Sequence, residues 1–382
     1  MRKIFTSALL ILCFILWGSP EVMAAEPVPG EDFSFDGLSD YIPEEVLTEL
    51  PEELFSLRGT EAAEAVDKLL DPGKIVSLIL SAITSVLPGM LSGMMGIIGA
   101  VILASAFRGL SASLSNRAAA PSVELASGLV TVLILFSSER AVFESVKLYL
   151  DRLIFFMNGM LPTMGGIYLL GGNTGSAAVH SGTTMLILTA VENGAAYLLM
   201  PMLRVCFCFI LITALSGGAL RTDGIMRAVK TLYTGLLGVV TTVLVTVLAS
   251  RNIISAAGDT FTVRTAKLAV GNLIPVVGGS ISDSLGTISA GLTLIKNGAG
   301  ILGIVLILMI TLPMTVTLLC NGIILSFSAF AADVLGCEKE KKMIEECKEL
   351  SGLALGLSSM AAAVFILSVV VFVSTNLAIS GG

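Results

Sequence analysis

Two residues of opposite charge stand in apolar surroundings where ionised side chains are expensive. Glu192 lies in the apolar stretch from Gly182 to Leu203, and Lys296 in the one from Ile288 to Ile310. A carboxylate facing lipid costs roughly 3 kcal/mol on insertion scales, so Glu192 must face protein or water, or carry a proton. The two charges share a local pattern, Glu192-Asn193-Gly194-Ala195 against Lys296-Asn297-Gly298-Ala299. They either pair across a pseudo-symmetric interface, or Lys296 snorkels to the surface while Glu192 caps a helix. Glu124 and Asp283 stand beside serines near the ends of apolar runs, which suits an interfacial position. His180 is the only histidine; with Ser181 and Thr183 beside it and no acid in sequence range, it reads as a loop or helix-start residue.

Backbone chemistry supplies the other candidates. Pro162 with Gly165-Gly166, and Pro275 with Gly278-Gly279, are expected to break or bend helices at matching positions. Backbone groups freed there cannot be satisfied by lipid, so protein or a water-lined cavity must partner them. The alternatives are simple kinks or turns at the membrane edge, and broken helices lining a path. Together with Glu192 and Lys296, these residues are the candidate conduit positions. No GxxxxGK[ST], HExxH, GxSxG or paired CxxC pattern occurs, so no catalytic, cofactor or metal residues are assigned and the chain reads as a non-enzyme. Nucleotide-driven work would need another subunit. Cys206, Cys208 and Cys320 sit in apolar runs as small hydrophobes, and Cys337 and Cys347, ten residues apart in a charged stretch, lack a neighbouring histidine.

The elements that must position these residues are membrane helices. Apolar residues make up 55% of the chain and charged ones only 13%, against about 25% in soluble domains. Arg2 and Lys3, an apolar run from Ala8 to Trp17 and small residues at Val22-Met23-Ala24 have the layout of a cleavable signal over residues 1–24. Residues 26–74 then carry 14 acidic against three basic side chains, a net −11, while the remainder after the signal is +3. This exported segment, residues 25–74, is expected to form short amphipathic helices, one from Glu61 to Leu70, and to dock on a partner or on the membrane domain rather than fold alone. A basic nucleic-acid surface is absent.

Residues 75–382 read as an all-α, polytopic helical bundle of about eight to ten segments, near Ile75–Phe107, Ala120–Ser138, Leu153–Leu170, Gly182–Leu203, Val205–Leu220, Thr231–Ser250, Leu268–Ile281, Ile288–Ile310, Leu312–Ala331 and Leu353–Leu377. Starting outside, this count puts Arg108–Arg117, Arg221–Lys230 and Asp333–Glu349 inside, with nine Lys/Arg against six in the outer stretches Glu139–Arg152 and Arg251–Lys267. In Glu139–Arg152, the residues Arg140, Glu144, Lys147 and Asp151 share one helix face and Phe143, Val146 and Leu150 another, so this piece is expected to lie along the interface with a solvated, self-paired charged face.

The sequence predicts an internal duplication over about 124–230 and 239–335. Leu129-Val130-Thr131-Val132-Leu133 recurs as Leu244-Val245-Thr246-Val247-Leu248, and Leu161-Pro162-Thr163-Met164-Gly165-Gly166 is echoed by Ile274-Pro275-Val276-Val277-Gly278-Gly279. Four spans per unit would make the copies parallel, and a re-entrant segment would invert them.

With its signal, acidic exported segment, many spans and the run Asn272-Leu273-Ile274-Pro275-Val276-Val277-Gly278-Gly279-Ser280-Ile281-Ser282-Asp283, the chain resembles the stage III sporulation protein AE family of endospore-forming bacteria. The resemblance implies a component of a multi-protein assembly in the mother-cell-derived outer forespore membrane, similar to specialised secretion systems. It implies as partners a separate cytoplasmic ATPase, ring-forming membrane proteins and a forespore-side protein across the intermembrane space, with a homo-oligomer also open. The role implied is a channel or export-platform subunit; an autonomous secondary transporter and a non-conducting scaffold are the alternatives. No site residues transfer.

Overall fold

The computed structural model of the chain describes residues 36–47, 72–113, 120–170, 174–215, 223–271 and 278–374. The signal, the helix expected over Glu61–Leu70 and Pro275 lie outside the described residues. Among these residues the regular structure is helical throughout: α1 (Asp36–Ser39), α2 (Glu44–Leu47), α3 (Pro72–Ser113), α4 (Ala120–Leu170), α5 (Thr174–Asn193), α6 (Met200–Leu215), α7 (Asp223–Gly271), α8 (Gly278–Val334) and α9 (Glu338–Ser374). A π-helical piece, Gly194–Leu199, joins α5 to α6 without a break.

Six helical stretches are long and apolar enough to cross a membrane: Ile83–Leu110, Gly128–Leu170, Ala177–Leu215, Gly224–Leu248, Ile295–Val334 and Glu338–Ser374. The eight to ten segments read from sequence reduce to these because three expected boundaries are crossed by continuous helix. Ala120–Ser138 and Leu153–Leu170 are both parts of α4, because Arg140, Glu144, Lys147 and Asp151 between them share one exposed face and leave the helix no reason to stop. Gly182–Leu203 runs into Val205–Leu220 past an exposed Arg204, and Ile288–Ile310 runs into Leu312–Ala331 with Pro313 inside the helix. The side chains of the expected span Leu268–Ile281 are outside the description. At 1.5 Å per residue, the 57 residues of α8 extend roughly 85 Å, more than twice the ~30 Å of hydrocarbon.

The centre of the bundle is the α8–α9 hairpin with α4 laid alongside. Its turn ends α8 in a Schellman motif: the Cys337 N–H donates to the Ala332 carbonyl at 2.7 Å and the Gly336 N–H to Asp333 at 2.9 Å. Gly336 takes φ +68°, a left-handed conformation that costs glycine nothing. Side chains of α4 meet α9 in increasing order along both, so the two run parallel and α8 runs against them. Methionines fill the middle of this core, with Met157, Met160 and Met164 fully buried beside Phe156 and Phe365. Gly300 and Gly303 of α8 let Val373 and Met160 approach to where a Cβ would stand. Around the core, α3 packs on α4 and α8, the α5–α6 unit on α4 and α9, and α7 on α5 and α9.

Docking on the membrane domain is what the described part of the acidic segment does. Leu38, Ile42 and Val46 are buried, Tyr41 lies 5.0 Å from the Phe155 ring, and its own ring occupies the space over Gly159 that any larger residue would fill. At 36–47 the segment is therefore a strap on α4 and α8.

Candidate functional site

The contact surface of α4, α8 and α9 is apolar except for a line of buried polar side chains. Midway stands Glu139, fully buried. Asn321 of α8 donates its side-chain amide to Glu139 Oε1 at 3.1 Å and to Ser351 Oγ of α9 at 2.9 Å, and the Ser351 hydroxyl donates to Glu139 Oε2 at 3.4 Å. Two to three turns further along α4, the Tyr149 hydroxyl donates to the Ser358 carbonyl at 3.0 Å and lies 3.3 Å from Thr311 Oγ1. In the opposite direction Thr131 and Ser328 are buried on α4 and α8. The methionine-filled core follows Tyr149, and beyond it a second polar group closes the far end. There the Tyr168 hydroxyl donates to the Phe372 carbonyl at 3.2 Å, Thr184 lies 3.4 Å from Ser368, His180 Nε2 is 3.1 Å from Met164 Sδ, and Lys296 Nζ lies 5.8 Å and 5.7 Å from the Tyr168 and Phe372 rings.

The near end is a charged face. Arg108 of α3 bonds Glu340 of α9 at 2.6 Å and donates to the Gly336 carbonyl, Lys230 of α7 holds Glu346 and, at 2.7 Å, Glu349, and Lys341 pairs with Asp333 at 2.8 Å. These residues come from the three stretches expected on one side of the membrane, and the structure brings all three together. Glu338, Lys339, Lys342 and Glu345 remain exposed beside them. Cys337 is buried under this face; burial pushes its thiol up, with Arg108 opposing, so it is a structural rather than a reactive cysteine. A cleft of about 510 Å³ opens at mid-height, between the strap and the bundle, with Pro43, Ser85, Ser145, Tyr149, Arg152 and Thr317 in its wall.

A sequence model of the stage III sporulation protein AE family matches residues 61–380, more than four fifths of the chain and all six membrane-crossing stretches. The chain belongs to this family. It is 21% identical to the stage III sporulation protein AE of Bacillus subtilis (strain 168) over 208 residues, 54% of this chain and 52% of that protein, so the match spans about half the length of the relative. No solved structure matches.

Within this family member, the residues singled out from sequence fall in separate places. Lys296 is buried at 2% exposure against aromatic rings instead of snorkelling to the surface, and Glu192 faces outward from α5, so the pair, the other expected arrangement, is not formed either. Pro162 is exposed within a continuous α4, so the helix does not break there, and Gly165 is buried facing Ser181 of α5, where a larger residue would press on the serine hydroxyl. Gly278 and Gly279 open α8. His180 lies buried within α5 between two aromatic rings rather than in a loop. Cys347, like Cys337, is buried and free. The stretch Glu139–Arg152 has the expected two faces, with Arg140 and Glu144 paired at 2.8 Å on the exposed one, but it continues α4 instead of lying along the interface. The residue missed was Glu139. It falls at i, i+4, i+7 and i+11 with Phe143, Val146 and Leu150, on the apolar face and not on the charged one, and that phase was the available signal.

Proposed function

We propose that this family member is the polytopic subunit of a sporulation-specific, secretion-like channel complex that links mother cell and forespore. The family match over the membrane bundle carries the reading. It is a membrane part that works with partners: its sequence holds no nucleotide-binding motif, so a separate cytoplasmic ATPase supplies the driving reaction. The charged face built from Arg108, Lys230 and Asp333–Glu349 is the cytoplasmic side, since it gathers the more basic of the two sets of connecting stretches, and the strap at 36–47 then lies on the exported side. Partners in the intermembrane space meet the acidic segment, and further copies of the chain are compatible with the exposed apolar residues around the bundle. The protein acts by forming and positioning a path rather than by catalysis, with its end in the outer forespore membrane.

Deletion of the gene in its host tests this. Forespore development is expected to stop and to be restored by the wild-type gene in trans. Normal spores from the deletion strain would overturn the assignment, and solute uptake by the purified chain alone in liposomes would favour an autonomous carrier.

A further inference from the structure

We infer that Glu139, held by Asn321 and Ser351, is a proton-binding site inside the membrane bundle, and that proton occupancy there governs how tightly α4 seats on the α8–α9 hairpin. The inference stands on the seam itself and not on membership in a complex.

The first step is charge balance. A fully buried carboxylate without a cation costs several kcal/mol, and neutral hydrogen-bond donors offset only part of that. No ion pair joins Glu139 to a cation among the described residues: the charged groups of the surrounding helices pair with one another or lie outward, with Lys147 of α4 exposed and Lys348 of α9 half-buried. On α4, Arg140 and Glu144 pair with each other on the exposed face. On α8 no Asp, Glu, Lys or Arg occurs between Lys296 and Asp333. On α9 the buried Cys347 thiol is the near titratable group, and Glu346 and Glu349 hold Lys230. On α3, Arg108 holds Glu340, and on α6, Arg204 is exposed. The partners Glu139 does have are neutral, at 3.1 Å and 3.4 Å, longer than the 2.7–2.9 Å of charge-assisted N–H···O bonds.

The second step is the kind of cation. A hard metal ion collects oxygen ligands, six or more for calcium. Here Asn321 turns its amide nitrogen, not its oxygen, toward the carboxyl, leaving the two carboxyl oxygens and Ser351 Oγ. A proton needs only one of the carboxyl oxygens. Its exit and entry have polar stations along the same seam: Ser328 Oγ on one side and Ser358 Oγ on the other are buried without a hydrogen-bond partner. When the proton leaves, a bare charge stands at the three-helix junction, and the seam must part or admit water to solvate it. A carboxyl with these properties is where a membrane protein exchanges protons.

The test uses the full chain in phospholipid nanodiscs and infrared spectroscopy. At neutral pH the wild type is expected to show a protonated-carboxyl C=O band that shifts on exchange into D2O and is lost in E139Q, and raising the pH should replace it with carboxylate bands in the wild type only. E139Q, which keeps the neutral shape, should melt within a few degrees of the wild type and lose the pH-dependent part of the melting temperature. A carboxylate signature for Glu139 at neutral pH overturns the inference. So does a band that responds to sodium chloride but not to choline chloride at equal ionic strength, which would mark an alkali-ion site. Should E139Q not fold, N321A reports instead: loss of the donor to Oε1 must move the C=O band, and an unmoved band overturns the assignment.

Discussion

Replacing Asn321 by leucine strips two hydrogen bonds from the three-helix junction, the 3.1 Å bond to Glu139 Oε1 and the 2.9 Å bond to Ser351 Oγ. Glu139 and Ser351 are both buried, so neither regains a partner from water. Each buried polar group left unsatisfied costs about 1–3 kcal/mol, which puts N321L at about 2–6 kcal/mol. E139L leaves the Asn321–Ser351 bond in place and loses the two bonds to the carboxyl, an expected cost of about 1–3 kcal/mol. Removing both groups leaves Ser351 the single polar member of the trio, so the unsatisfied carboxyl of N321L and the unsatisfied amide of E139L both disappear. The double variant should therefore recover about 1 kcal/mol or more of the summed single costs, within the range of up to about 1.7 kcal/mol found for interhelical hydrogen bonds in membranes. Reversible unfolding of the four proteins in detergent micelles measures the cycle. Additivity within about 0.5 kcal/mol would refute the coupling and with it the role of Asn321 as the group that holds Glu139.

The remaining expectations concern the two ends and the strap. K230E should destabilise the bundle through repulsion with Glu346 and Glu349, and the exchange K230E/E346K should restore part of the loss, read from melting temperatures; an unrescued pair would show that packing, not charge, matters there. G159L should eject the Tyr41 ring and expose the strap, so limited proteolysis of the purified chain should cut near residues 36–47 at least several-fold faster than in the wild type. Under native conditions a maleimide should leave the buried Cys337 and Cys347 unlabelled until the protein unfolds.

How much of this was legible from sequence depended on which physical signal each feature leaves. Membrane residence and helical class follow from the apolar content, because lipid admits few other structures. The gathering of Arg108, Lys230 and Asp333–Glu349 was legible through span parity: two fusions between Arg108 and Lys230 leave an even number of crossings, and between Lys230 and Asp333 one fusion is matched by Leu268–Ile281 not being among the six crossing stretches. Segment count was not legible: a run such as Arg140, Glu144, Lys147 and Asp151 lowers mean hydropathy as a loop does, although its charges lie on a single helix face. Glu192 and Lys296 were matched by local sequence, but pairing depends on helix rotation, which places one outward and the other among aromatic rings. Asn321 and Ser351 left no signal of their own, since a buried amide and hydroxyl are recognisable only once Glu139 is seen between them.

The proposed role is tested most directly by what the protein is bound to while it works. The chain, tagged at a position that preserves spore formation and purified from sporulating cells after mild cross-linking, should bring down other membrane proteins of the stage III complex together with a cytoplasmic ATPase, with cross-links from that ATPase falling on the charged face around Lys339, Lys342 and Glu345. Recovery of the chain alone from sporulating cells, or cross-links from the ATPase confined to the strap side, would contradict it.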